Sequence, residues 1–188
     1  MIQRIAEGEG VFWIDAITGK YDGDKTQLAL PDTALKGGEV LNLNGVEIKI
    51  HYQGLSHTDH DLLIEVVKDK ILILGGLVVE PEVPSQGVPA DANFKGQIAA
   101  TKFAIQLHMN IYIPGQGFPQ GVVLPQRGLR FLQAIYSGVE HYYSEGLEDF
   151  EITQRLKVEL SEFQQWYQFD FLGRVIAEMY LQVEQENF

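Results

Sequence analysis

Near residue 92 the hydrophobic period of this chain changes from that of strands to that of helices, and this order narrows the available folds more than any other feature. Upstream, Leu41 and Leu43, then Val46, Ile48 and Ile50, alternate around Asn44-Gly45. A two-residue hairpin turn needs positive φ at both central positions, which makes Asn-Gly its strongest short signal. Leu62-Leu63-Ile64-Glu65-Val66-Val67 and Ile71-Leu72-Ile73-Leu74 are β-rich runs separated only by Lys68-Asp69-Lys70. Continuous apolar runs of this kind predict strands covered on both faces. Nearer the start, Val11-Phe12-Trp13-Ile14 is a short apolar run stopped by turn-rich residues 18–24. A loop with Pro81, Pro84, Gly87 and Pro89 closes this half.

From Asp91 the period is helical. Phe94, Ile98, Thr101, Ile105 and Leu107 mark one amphipathic helix. Ile111-Tyr112-Ile113 then reads as a three-residue strand, and Pro114-Gly115-Gln116-Gly117-Phe118-Pro119 as a tight loop. Leu129, Leu132, Ile135, Tyr136, Val139 and Tyr143 predict a longer helix ending at Gly146. Two further helices are expected over about residues 150–167 and 169–185, with stripes at Leu156, Leu160, Phe163 and at Leu172, Ile176, Met179, Val183. Strands followed by helices specify an α/β (α+β) layered domain.

The 188 residues are enough for one medium domain with its own core. There is no cysteine, so disulfides, thiolate metal sites and a cysteine nucleophile are excluded. A net charge of -12 argues against nucleic-acid binding, which uses Lys and Arg to displace phosphate counterions. The longest apolar stretch, Ile71 to Val79, is too short to span a bilayer. The first residues turn acidic before any apolar run, unlike a signal peptide. A soluble, cytoplasmic protein with no membrane partner is expected.

Of the five histidines, only His57 and His60 fall in a constellation, His57-Thr58-Asp59-His60-Asp61, just before a predicted strand. Imidazole and carboxylate are the ligands of catalytic zinc, and loops at strand ends are where sites gather. The same composition also suits a solvated turn. His108 at a helix end reads as a C-terminal cap, and His51 and His141 have no acidic or histidine cluster beside them in sequence. Gly75-Gly76 and Pro114-Gly115-Gln116-Gly117 lack nucleotide-binding spacing, and no serine lies in a G-x-S-x-G elbow.

Three segments in order resemble motifs of the metallo-β-lactamase superfamily. Residues 54–62, Gly-Leu-Ser-His-Thr-Asp-His-Asp-Leu, are similar to its GHT-x-x-D segment, residues 71–78 to its vLftGDlv strand and loop, and residues 111–117 to its vvPGHG loop. The intervals, 19 residues from His57 to Gly76 and 40 from Gly76 to Gln116, are close to the family's spacing. Pro31, the hairpin Leu41–Ile50 and the closing segment from Phe171 also match, so the resemblance covers roughly residues 25–188. It implies half to two-thirds of an αββα sandwich, its sheet backed by C-terminal helices. Residues 1–188 then form a single domain lacking the N-terminal half that carries the H-x-H-x-D-H motif.

The departures bear on function. Where the family has its bridging aspartate this chain has Gly76, and where it has its last histidine it has Gln116, a poor zinc ligand. Of the matched ligand positions only His57 remains, and one imidazole does not make a catalytic zinc site. The expectation is a non-catalytic protein of unknown small-molecule ligand, with no catalytic residue assigned and no cofactor. It would complete its sandwich as a homodimer through the exposed sheet face. One alternative is a metal-dependent hydrolase with an altered mononuclear site, His57, His60 and Asp61 holding zinc or another divalent metal and Asp59 acting as base. The other is a subunit that complements a separate N-terminal half.

Overall fold

The computed structural model describes residue 29, residues 31–79, residue 83 and residues 92–187. The chain divides into two compact units, Met1–Lys36 and Gly37–Phe188. All regular elements among the described residues belong to the second. The run Val11–Ile14 and, apart from Val83, the Pro81–Pro89 loop lie outside the described residues.

Five strands form one sheet in sequential order: β1 (Val40–Leu43), β2 (Val46–His51), β3 (Leu63–Val66), β4 (Ile71–Val79) and β5 (Ile111–Gln116). The first three pairings are antiparallel and β4 pairs with β5 in parallel. A parallel pair needs a crossover, and helix α1 (Phe94–Gln106) supplies it. The predicted hairpin forms, with Leu43 opposite Val46 and positive φ at both Asn44 (51°) and Gly45 (88°).

After β5 come α2 (Val123–Ser144), α3 (Asp149–Glu159), short 3-10 turns at Ser161–Phe163 and Phe169–Phe171, and α4 (Leu172–Glu186). The fold is thus mixed α/β, a five-stranded sheet with four helices among the described residues.

The sheet has two unlike faces, fixed by the alternation of side chains along each strand. Leu63, Leu72, Leu74 and Tyr112 are fully buried in one cluster with Ala100 and Ala104 of α1. The register places Ile48, Ile50, Ile64, Val66, Ile71, Ile73, Ile111 and Ile113 together on the opposite face. Of these Ile50 is buried, Ile111 at the edge is 40% exposed, and the others are only partly buried. The sequence expectation of strands covered on both faces therefore holds fully for one face and in part for the other. A second cluster unites α2, α3 and α4 through Phe131, Ile135, Val139, Leu156, Ile176 and Met179.

Two elements differ in extent from the sequence reading. Strand β5 runs on through Pro114 to Gln116, where a tight loop was expected. It is the last strand of the sheet, and an edge strand tolerates a residue with no N–H. The predicted helix over residues 150–167 ends at Glu159. Leu156, Leu160 and Phe163 are all buried as the stripe requires, but the last is reached through a 3-10 turn. A stripe three or four residues apart does not distinguish i+3 from i+4 hydrogen bonding.

Helix α1 buries Phe94, Gln97, Ala100, Thr101 and Ala104, whereas Ile98 and Ile105 are only partly buried. Its small side chains let it lie close to the sheet. Gln97 is satisfied there by donating to the Leu77 carbonyl at 2.9 Å.

Candidate functional site

The His57–Asp61 segment lies in the loop between β2 and β3, and its shape is fixed by backbone contacts more than by its own ionisable groups. Asn93 caps α1, its Oδ1 accepting from the Gly96 N–H at 2.6 Å. The Asn93 N–H in turn donates to the Ser56 carbonyl at 2.7 Å. Residue 96 must be glycine for this docking, since a Cβ there would fall 1.7 Å from the Leu55 carbonyl oxygen. Tyr52 reaches across the loop and donates to the Asp59 carbonyl at 2.7 Å.

Asp61 is the internal acceptor of the loop. Its Oδ2 takes the hydroxyl of the buried Ser56 at 2.9 Å and the Thr58 N–H at 2.6 Å. His60 donates its backbone N–H to the Thr58 hydroxyl at 3.3 Å, and its Nδ1 pairs with the Asp59 carboxylate. His57 turns toward the sheet. Its ring lies against Gly76 of β4, where a Cβ would come within 2.5 Å of Cδ2 and 2.9 Å of Nε2.

Gln116 stands at the exposed end of β5, opposite Val79. The crossing of β4 and β5 near it is tight, because a Cβ on Gly115 would meet the Gly75 carbonyl oxygen at 2.5 Å. Gly75 itself has φ of +55° and marks the register irregularity between these strands.

The residues named from sequence thus share one loop but not one centre. Among the described residues, no three His, Cys, Asp or Glu side chains are grouped so as to hold a metal ion. Asp61 is engaged with Ser56 and Thr58, His60 with Asp59, and His57 faces a glycine. This donor set does not fit a zinc centre, which needs three or four protein ligands converging on one point.

Sequence reasoning missed the supports of this loop: Tyr52, Ser56, Asn93 and Gly96. Asn93 before the apolar Phe94 was the available signal, being an N-cap at the start of a helical stripe. It also missed a pair on the helix-covered face. His51 Nε2 lies 2.7 Å from Oε2 of Glu65, whose side chain is only 11% exposed, and the imidazole packs edge-on to Phe103 at 5.5 Å. The two residues are fourteen apart in sequence and meet only because β2 and β3 pair in this register. His108 adopts positive φ (52°) just beyond α1, its N–H bonded to the Ile105 carbonyl, consistent with a capping role. His141 is an i,i+4 neighbour of Glu145 on α2. No helix among the described residues is long and apolar enough to cross a membrane.

The sequence matches no family profile. It matches none of the curated proteins either. Solved structures do resemble it. The metallo-beta-lactamase from Pontibacter korlensis superposes with a TM-score of 0.50 at 21% identity, over 63% of this chain and 54% of that one. The structure of VMB-1 at pH 5.5 aligns at 19% identity over 56% of this chain and 49% of its own, with a TM-score of 0.48. The chain therefore spans about half the length of these structures. At such identity the likeness is one of fold, which does not by itself carry an activity. Taken with the sheet order and its helical backing, the first superposition gives this chain a metallo-β-lactamase-like α/β fold.

Proposed function

We propose that this chain is a non-hydrolytic protein on a metallo-β-lactamase-like scaffold that completes its sandwich by pairing with a second copy. The observation that carries the first half of this reading is the seating of the His57 ring on Gly76. Residue 76 has no side chain to supply a carboxylate beside His57, and the ring itself takes the place where one would stand. Gln116 offers only a neutral amide. Without metal no group here lowers the pKa of water to ~7, and β-lactam hydrolysis is not expected.

The second half is supported by the isoleucine- and valine-rich sheet face, incompletely covered and continuous across four strands. A second copy packed sheet to sheet would cover it, with the acidic residues kept to the rim. Chelator-free purification followed by elemental analysis and light scattering tests both parts. The expected result is a dimer at micromolar concentration with metal far below one ion per chain. Stoichiometric metal removed by His57→Ala would sink the first half, and a stable monomer the second.

A further inference from the structure

The segment between α3 and α4 holds a cleft that the scaffold does not require. It has a volume of about 480 Å³ and is walled by Trp166, Tyr167 and Phe171, with Phe169 beneath. Tyr167 is 65% exposed and Phe171 48%, two large aromatic side chains lining the same cleft. Trp166 is anchored in the core, tilted against Phe131 at 4.7 Å and edge-on to Phe163 at 4.9 Å.

The backbone between these rings is held in an unfavourable shape. Gln168 has φ of 64°, a left-handed conformation that a residue with a Cβ adopts at some cost. Its side-chain Oε1 is buried without a hydrogen-bond partner, which costs more. The loop is kept in place by the Val83 N–H donating to the Tyr167 carbonyl at 3.0 Å and by Lys157 Nζ donating to the Asp170 carbonyl at 3.1 Å.

The chemistry of the lining selects among ligands. Its polar side chains include the amides of Gln164 and Gln168, the Tyr167 hydroxyl, the Trp166 indole N–H and the carboxylate of Asp170, with no cationic side chain in the lining. Asp170 in the lining is offset by Lys157, bonded to its carbonyl, and by Arg174, which lies over the Phe171 ring at 5.2 Å, so the mixed charges select neither an anion nor a cation. What remains is a neutral ligand with an apolar face for the rings and several hydroxyls. Hydroxyls donate to carboxylate and amide oxygens and accept from amide N–H groups. A modest rotation about the soft terminal torsion of Gln168 would bring its orphaned oxygen to such a hydroxyl.

We propose that the cleft of residues 164–171 binds a neutral saccharide, one ring stacked on Tyr167 and Phe171 and its hydroxyls held by Asp170 and Gln168. This does not rest on the absence of metal or on dimerisation.

The test is a set of 1H–15N NMR titrations of the full chain with cellohexaose, maltohexaose and chitohexaose, each to about 10 mM. Saturable shifts for at least one sugar, concentrated in residues 164–171, are expected. Tyr167→Ala should weaken them roughly tenfold or more, and Tyr167→Phe should retain most of the affinity, as stacking requires. Asp170→Asn should weaken binding without changing the far-UV circular dichroism. No saturable shift with any of the three sugars would overturn the proposal, as would binding indifferent to both Tyr167→Ala and Asp170→Asn. Tighter saturation of the same residues by choline or benzoate would replace the neutral ligand with a charged one.

Discussion

The imidazole of His57 and the bare backbone of Gly76 lie in direct contact, the ring filling the place that a Cβ on residue 76 would take. The pair is complementary: a glycine on the sheet lets the ring lie down, and the ring fills what a larger residue would occupy. Changing one member should therefore alter the cost of changing the other.

A double-mutant cycle measures that relationship. Gly76→Ala alone should destabilise by about 1 kcal/mol, since a side chain is the obstacle and can move aside. In a His57→Ala background the same change should cost nearly nothing, giving a coupling energy of about 1 kcal/mol in urea denaturation. Additive effects would mean that the two residues are not in contact in solution.

Gly96 meets a backbone atom instead, and a carbonyl oxygen in a docked loop does not move aside cheaply. Gly96→Ala should cost about 3 kcal/mol or more and expose the amides of residues 55–58 to hydrogen exchange. Gly121→Ala is the control, because its nearest neighbour is the Asn110 carbonyl oxygen at 4.0 Å. It should change stability little.

Asp61 gathers two donors on one oxygen, and one of them, the Ser56 hydroxyl, is buried. Asp61→Ala leaves both unpaired and should cost on the order of 2 kcal/mol. Asp61→Asn keeps an acceptor in place and should cost less than half of that. Equal losses would assign the effect to charge alone.

The C-terminal helix is tied down by a three-helix polar contact with a defined pH signature. Tyr136 of α2 donates to Glu186 of α4 at 3.0 Å, and Lys95 of α1 reaches the same carboxylate at 2.5 Å. Burial, then the hydrogen bond to Glu186, pushes the Tyr136 hydroxyl from its ordinary 10 up to about 12. The Lys95 ammonium is likewise raised, chiefly by its bond to Glu186.

A raised folded-state pKa stabilises below the unfolded value and is lost as pH climbs through the folded one. For Tyr136 that window is about pH 10 to 12. Stability should fall across it by on the order of 1–2 kcal/mol beyond the general alkaline trend, and Tyr136→Phe should remove that extra slope. Urea midpoints at pH 9, 10 and 11 check this.

Much of the architecture was legible in local pattern. Asn44-Gly45 requires positive φ at both positions and so specified the hairpin outright, and the stripe from Leu129 to Tyr143 lies inside α2 as read. Period alone failed where two hydrogen-bonding patterns share it, and so α3 stops at Glu159 while the stripe continues to Phe163. The substituted positions Gly76 and Gln116 were likewise visible as letters in a row.

What the letters did not carry was direction. His57, His60 and Asp61 are neighbours in the chain, yet hydrogen bonds to Ser56, Thr58 and Asp59 and the contact with Gly76 turn them to separate tasks. The pairing of His51 with Glu65 depends on strand register, and the aromatic cleft on a left-handed residue at the junction of two segments read as helices. Sequence period reports which side of one element is apolar, so it determined the layers, the hairpin and the order of elements. Convergence of side chains depends on how distant elements dock, and that was decided only by the tertiary structure.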